Sequence, residues 1–186
     1  GIKVFNVSGY STPAVAQHVF AMLLNLVTHV NRYGHAPEKW AESPIFTRLD
    51  YPVSELMGKT LGIVGYGDIG KSVAAIGRAF GMDIVALGRP GGGADVTRLP
   101  ADKFFARCDV ITLHCPLTAE NKELINRVTL SQMKPSAILI NTGRGGLVNE
   151  ADLIAALKSG VIAGAGLDVI SVEPPGKDHP IISAKL

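Results

Sequence analysis

Along this chain, short apolar runs alternate with stretches in which apolar positions recur every three or four residues. LGIV at 61–64, DIVAL at 83–87, DVITL at 109–113, AILIN at 137–141 and AGAGLDV at 163–169 have strand length, and most of their positions are apolar. Helical patterns lie between them. Ile69, Val73, Ile76 and Phe80 share a helix face that stops at Gly81, and shorter patterns occupy 101–107 and 126–133. NEADLIAALKSG (149–160) has Asn149 as its N-cap, Asp152 three residues later and Gly160 past its end. Continuously apolar strands separated by helices predict a parallel sheet covered on both faces. The expected fold class is α/β, a doubly wound parallel sheet of the Rossmann type.

The first sixty residues follow another pattern. AVAQHVFAMLLNLVTHV at 14–30 is the longest apolar run, but Gln17, His18, Asn25 and His29 make it too polar to span a membrane. It reads as a helix with Thr12 as N-cap and Pro13 at the first helical position. Residues 34–58 contain Pro37, Pro44 and Pro52 and read as a connection over the surface.

At 186 residues with 47% hydrophobic content, the chain can bury one full core. The net charge of +2 is scattered, without the basic stripe that tracks a phosphate backbone, so no nucleic-acid partner is expected, nor a membrane. Cys108 and Cys115 lack zinc-ligand partners at the usual spacing. They are expected to be buried thiols in a reducing, cytoplasmic compartment, with no metal site. Gly1 opens the chain without an initiator methionine, which reads as an excerpt of a longer protein.

GYGDIG at 65–70 sets Gly65, Gly67 and Gly70 at G-x-G-x-x-G spacing between a strand and a helix. In that context the motif predicts a dinucleotide site: Gly65 for the tight turn, Gly67 for close approach of a pyrophosphate, Gly70 for helix packing on the strand. The helix start offers its free N–H groups, those of Asp68 and Ile69 among them, to the anion, and the Asp68 carboxylate is expected to face solvent. The other reading is a βα turn with glycines for packing alone. At the end of the second strand, where an acid usually meets the ribose 2′-hydroxyl, stand Gly88 and Arg89. Arg89 can accept a 2′-phosphate, so the cofactor is expected to be NAD or NADP. A solvated loop arginine is the alternative.

Arg144 lies three residues beyond the 137–141 strand, which is expected to neighbour the first strand across the point where strand order reverses. Its guanidinium offers a fork matched to a carboxylate. Asp168 closes the next strand and Glu173 follows five residues later. Arg144 either binds a carboxylate ligand at this edge or forms a structural ion pair with one of these acids.

Taken together, GIVGYGDIG, LHCPLT, MKPSAILINTGRGGLVNEADLIAALKSG and AGAGLDVISVEPP resemble the nucleotide-binding domain of the D-isomer-specific 2-hydroxyacid dehydrogenases. The likeness spans essentially the whole chain, and the later motifs are most similar to glycerate dehydrogenases, also called hydroxypyruvate reductases. The resemblance implies an NAD(P)-dependent oxidoreductase that interconverts a small D-2-hydroxy acid and its 2-keto acid, either glycerate and hydroxypyruvate or the glyoxylate pair. It implies that Arg144 binds the substrate carboxylate and carbonyl, that Glu173 pairs with a catalytic histidine, and that Asp168 holds the nicotinamide carboxamide. The 114–117 segment, His114 to Leu117 with Cys115 and Pro116, then walls the adenosine side, and Thr142 joins the cofactor-binding residues. A second, substrate-binding domain built from both chain ends is implied, with residues 1–10 as its last stretch here.

The family's histidine, in a Pro-His pair after the Glu173 motif, is expected beyond Leu186. His179 has an inverted His-Pro context and reads as a loop residue. His18, His29 and His35 read as structural or exposed, and His114 as a satisfied strand-end histidine. A homodimer through nucleotide-binding domains is expected, with the 14–30 helix contributing. A non-catalytic, dinucleotide-sensing protein of the co-repressor type is the alternative, because it shares this fold and most of these motifs.

Overall fold

The computed structural model describes residues 2–5, 7, 9–88, 93 and 95–184. Helix α1 (Thr12–Thr28) comes first, followed by two short helices, α2 (Val30–Gly34) and α3 (Glu38–Ala41), within the surface connection. The alternating part then runs β1 (Thr60–Val64), α4 (Asp68–Ala79), β2 (Asp83–Leu87), β3 (Thr97–Leu99), α5 (Ala101–Arg107) and β4 (Val110–Leu113). It continues through α6 (Arg127–Ser131), β5 (Ile138–Asn141), a 3-10 turn (Gly145–Leu147), α7 (Glu150–Lys158), β6 (Gly164–Leu167) and α8 (Pro180–Ser183). The strands form one sheet in the order β3-β2-β1-β4-β5-β6, with every pairing parallel.

This order corrects one expectation. The neighbour of β1 across the switch is β4, paired from Leu61 with Val110 to Val64 with Leu113. β5, which leads to Arg144, lies one strand further out. Local pattern fixes which segments are strands; their lateral order depends on crossovers that no short window contains.

Two packed layers explain why β1, β4 and β5 are buried at every position. On one face Phe104, Phe105, Leu113, Leu130, Leu139 and Leu153 join α5, α6 and α7 to the sheet. On the other, Val19, Phe20 and Leu23 of α1 meet Ile63, Val73 and Ile140. Burying a side chain of this size stabilises by about 1.5–3 kcal/mol, so α1 is an integral layer of the domain. Its stripe of Ala16, Val19, Phe20, Leu23 and Val27 is consumed there. Among the described residues, no helix is long and apolar enough to cross a membrane.

Helix ends follow the expected chemistry with two shifts. Asn149 caps α7 by accepting from the Asp152 amide (3.1 Å), and Gly160 past its end has φ +70°. The Asp152 carboxylate does not return to Asn149; it accepts from the Arg127 amide at the start of α6 (2.8 Å). The N-cap of α1 is Ser11, one residue before the expected Thr12, and its side chain makes no capping bond.

Candidate functional site

The C-terminal ends of β1, β4, β5 and β6 carry, in that order across the sheet, the glycine turn, the 114–116 segment, the Arg144 turn and the Asp168 loop. Gly65 has φ +95°, and a Cβ there would lie 2.5 Å from the Cys115 nitrogen and 2.7 Å from the His114 carbonyl carbon. The turns after β1 and β4 therefore touch backbone to backbone, which a side chain would prevent. A Cβ at Gly70 would collide with the Gly65 carbonyl and lie 3.1 Å from Ile63, as expected for a helix packed closely on its strand. Gly67 differs from both: a Cβ there meets no protein atom within 4 Å. The space in front of it is open.

Gly67 is also the N-cap of α4, and no side chain caps that helix. The first-turn amides, including those of Asp68 and Ile69, point toward this open space with the positive end of the helix dipole. Asp68 is exposed, as expected. These features fit the pyrophosphate of a dinucleotide. A cavity of about 250 Å³ lies here, between Gly9, Ser11 and Thr12 at the start of α1, the glycine turn and His114.

A second cavity of about 350 Å³ lies on the far side of the turn, against Leu87, Gly88, Arg98, Cys115 and Pro116. Cys115 is half-buried, and burial pushes its thiol up from the usual range. Cys108 is fully buried and pushed up to about 12 by its burial, an inert core thiol. Arg89 lies outside the described residues. Arg98 was not anticipated, because β3 is only three residues long and gives no period to detect. Its guanidinium bonds the Gly93 carbonyl (2.8 Å), pairs with Asp95 (3.2 Å) and lies over the Tyr66 ring (5.7 Å).

His114 lines both cavities. Its Nε2 lies 2.9 Å from the Thr112 hydroxyl and its Nδ1 3.4 Å from that of Thr142. Burial lowers the imidazole from 6.5 to about 4. It is a neutral ring held between two strands, and Thr142 acts on it at the site's edge.

The Arg144 turn is shaped by Asn141, which sequence reasoning passed over. This fully buried side chain donates to the Arg144 carbonyl (3.0 Å) and accepts from the Gly143 amide (3.0 Å). Asparagine at a strand end often closes such a local turn, and that was the available signal. The Arg144 side chain is exposed, and among the described residues its guanidinium bonds only the Gly143 carbonyl (2.8 Å). Among the described residues, no carboxylate pairs with it, so the structural ion pair with Asp168 or Glu173 is not formed. Asp168 instead lies 3.3 Å from His18 Nε2, both side chains about half exposed, and Glu173 accepts from the Ile170 amide (3.0 Å). His18, read only as structural or exposed, thus reaches the site across the sheet. His179 is the N-cap of α8 and faces Glu150, not Glu173. Among the described residues, no cluster of three His, Cys, Asp or Glu could hold a metal ion.

The family described as D-isomer specific 2-hydroxyacid dehydrogenase, NAD binding domain, matches residues 20–185. The chain belongs to this family. A putative 2-hydroxyacid dehydrogenase of Haemophilus influenzae is 43% identical over 99% of the chain and 59% of its own length. A glycerate dehydrogenase of Methylorubrum extorquens is 41% identical over 100% of the chain and 59% of its own. A D-lactate dehydrogenase from Aquifex aeolicus, solved with NAD and lactic acid, superposes with a TM-score of 0.83 at 32% identity, over 95% of this chain and 56% of that one. The chain thus spans about three-fifths of the length of these 2-hydroxyacid dehydrogenases, and the span it shares with them is the dinucleotide-binding one.

Proposed function

We propose that this chain is the dinucleotide-binding part of an NAD(P)-dependent oxidoreductase that interconverts a D-2-hydroxy acid and its 2-keto acid, with glycerate and hydroxypyruvate, or the glyoxylate pair, as substrates. The observation that carries the reading is one sheet edge holding both an open, uncapped helix start at Gly67 and an arginine free of any described carboxylate at 144. The first suits a pyrophosphate and the second a substrate carboxylate. The family relationship supports the same reading, as do the relatives' names. The non-catalytic alternative has no support from the relatives described above.

In this reading a bound nicotinamide would supply the hydride chemistry at the substrate's C2. The amides at the start of α4 hold the pyrophosphate, while His114, Cys115 and Pro116 wall the adenosine side. Thr142 orients His114. Asp168 accepts a hydrogen bond from the carboxamide, and Arg144 grips the carboxylate and polarises the carbonyl as negative charge develops on its oxygen. Glu173 orients a proton-carrying imidazole and stabilises its cationic form.

For the cofactor we infer that NADPH binds at least as well as NADH. The β2 strand ends at Leu87 and is followed by Gly88, with no acid there to meet a 2′-hydroxyl, and Arg98 lines the same cavity as Gly88. Arg89 is the residue proposed to take a 2′-phosphate. A homodimer is part of the proposal, supported by Trp40, Phe46 and Leu49, exposed on the connection at 61%, 91% and 78%.

The test is oxidation of NADH and NADPH by the intact protein with hydroxypyruvate, glyoxylate and pyruvate. Turnover with at least one keto acid is expected, and Arg89→Ala should weaken NADPH selectively. Dinucleotide binding without turnover of any of these would overturn the enzyme reading. Equal loss of both cofactors in Arg89→Ala would remove the 2′-phosphate role.

A further inference from the structure

The loop from Asp168 to Glu173 carries both carboxylates of the proposed site, yet most of its residues are exposed and it leaves the sheet directly after β6. Something must hold it against the Arg144 turn. Part of the answer is steric. A Cβ on Gly145 would collide with the carbonyl of Ile170 and the nitrogen of Ser171, so the two backbones already touch.

The rest is a carboxylate outside the proposed site. Glu150 opens α7, six residues after Arg144 and just beyond the same turn. Its Oε1 accepts from the Ser171 amide (2.6 Å) and its Oε2 from the Ser171 hydroxyl (3.0 Å). The same Oε2 lies 3.3 Å from His179 Nε2, and the two side chains are only 12% and 10% exposed. His179 Nδ1 accepts from the Ile181 amide (3.4 Å), so the ring's proton sits on Nε2 and is directed at Glu150. Two successive loop amides therefore go to two different carboxylates: Ile170 to Glu173 from within the loop, and Ser171 to Glu150 from outside it.

We propose that Glu150 is a positioning residue for the reaction, the clamp that fixes the loop bearing Asp168 and Glu173 against the turn bearing Arg144, with His179 as its third arm. The inference rests on the proposed roles of those three residues. Glu150 touches no reacting atom. Its effect is geometric: the residues proposed to meet the carboxamide, the imidazole and the substrate carboxylate come from two segments, and Glu150 bonds one to the other. Loss of the clamp lets the segments separate, and a displacement of about 1 Å at a reaction centre costs on the order of a hundredfold in rate. The pyrophosphate site lies on β1 and α4, two strands away from β5, and does not depend on this contact.

The experiment compares the intact protein with Glu150→Ala and Glu150→Gln. In Glu150→Ala, kcat for keto-acid reduction per folded molecule should fall about ten- to hundredfold, while NADPH affinity changes less than about threefold. Glu150→Gln retains an oxygen for the Ser171 amide and should recover most of that loss. Amide hydrogen exchange at Ser171 should accelerate at least about tenfold in Glu150→Ala and less in Glu150→Gln. If Glu150→Ala does not fold, Ser171→Ala removes one arm alone and should lower kcat about two- to fivefold at unchanged NADPH affinity. Wild-type kcat in folded Glu150→Ala (or in Ser171→Ala where Glu150→Ala does not fold), or unchanged Ser171 exchange in Glu150→Ala, would overturn the clamp. A wild-type protein inactive on every keto acid would instead overturn the functional reading and the catalytic consequence of the clamp with it. Ser171 exchange would still decide whether the clamp exists.

Discussion

His114 stands where the two central turns meet, and its surroundings decide its charge. Threonine hydroxyls face both ring nitrogens and burial holds the imidazole down at about 4, so it is neutral at pH 7. A charged ring here would add a cation beside the proposed pyrophosphate and make both ring nitrogens donors, so that both threonine hydroxyls would have to accept. The unfolded chain protonates this histidine near 6.5, whereas the folded chain does so only near 4. Between these values the unfolded state binds more protons, so stability is complete above pH 6.5 and declines as pH falls toward 4. The contribution is about 3 kcal/mol at most. Urea titrations at pH 7 and pH 4.5 should show a smaller acid loss for His114→Gln than for the wild type. Equal losses would mean that the ring is not held neutral by the fold.

At the scale of elements, the site depends on the uncapped start of α4. A side chain at Gly67 meets no protein atom, so Gly67→Val should leave the domain folded with its melting temperature within a few degrees of wild type. It should also occupy the space the phosphates need, and dinucleotide titration should show no binding. Retained binding would mean that the turn serves packing alone. This element was legible in the sequence because its determinants are local: three glycines, a preceding apolar run and a following helical period. The same holds for the Asn149 cap and for β1, β4 and β5. β3 was not legible, since Thr97–Leu99 follows a glycine-rich stretch and is too short to show alternation. The partners of the site residues were not legible either. The pairs His18 with Asp168 and Glu150 with His179 join residues far apart in the chain, and only the completed crossovers bring them together.

For the molecule as a whole, much of the apolar surface outside the core lies on the N-terminal stretch, at Ile2, Val4, Phe5, Val7 and Tyr10, and on the connection. α1 is consumed as a layer of the domain, so the proposed dimer interface draws on exposed residues such as Trp40, Phe46 and Leu49 and less on the helix expected to contribute to it. Replacing Trp40 and Phe46 together by serine should shift a sedimenting dimer to monomer at micromolar concentration. A wild-type monomer under those conditions would contradict the proposed assembly. The central claim is a division of labour along one sheet edge, with the dinucleotide held at β1 and α4 and the keto acid gripped beyond β5. Arg144→Lys tests it most directly, because it keeps the charge, loses the two-pronged grip and leaves the glycine turn untouched. Hydroxypyruvate reduction, NADPH affinity and melting temperature are measured together on the intact protein. The account predicts that turnover falls about a hundredfold, on the order of 3 kcal/mol, while NADPH affinity and melting temperature stay close to wild type. Near-normal turnover with a lowered melting temperature would contradict it.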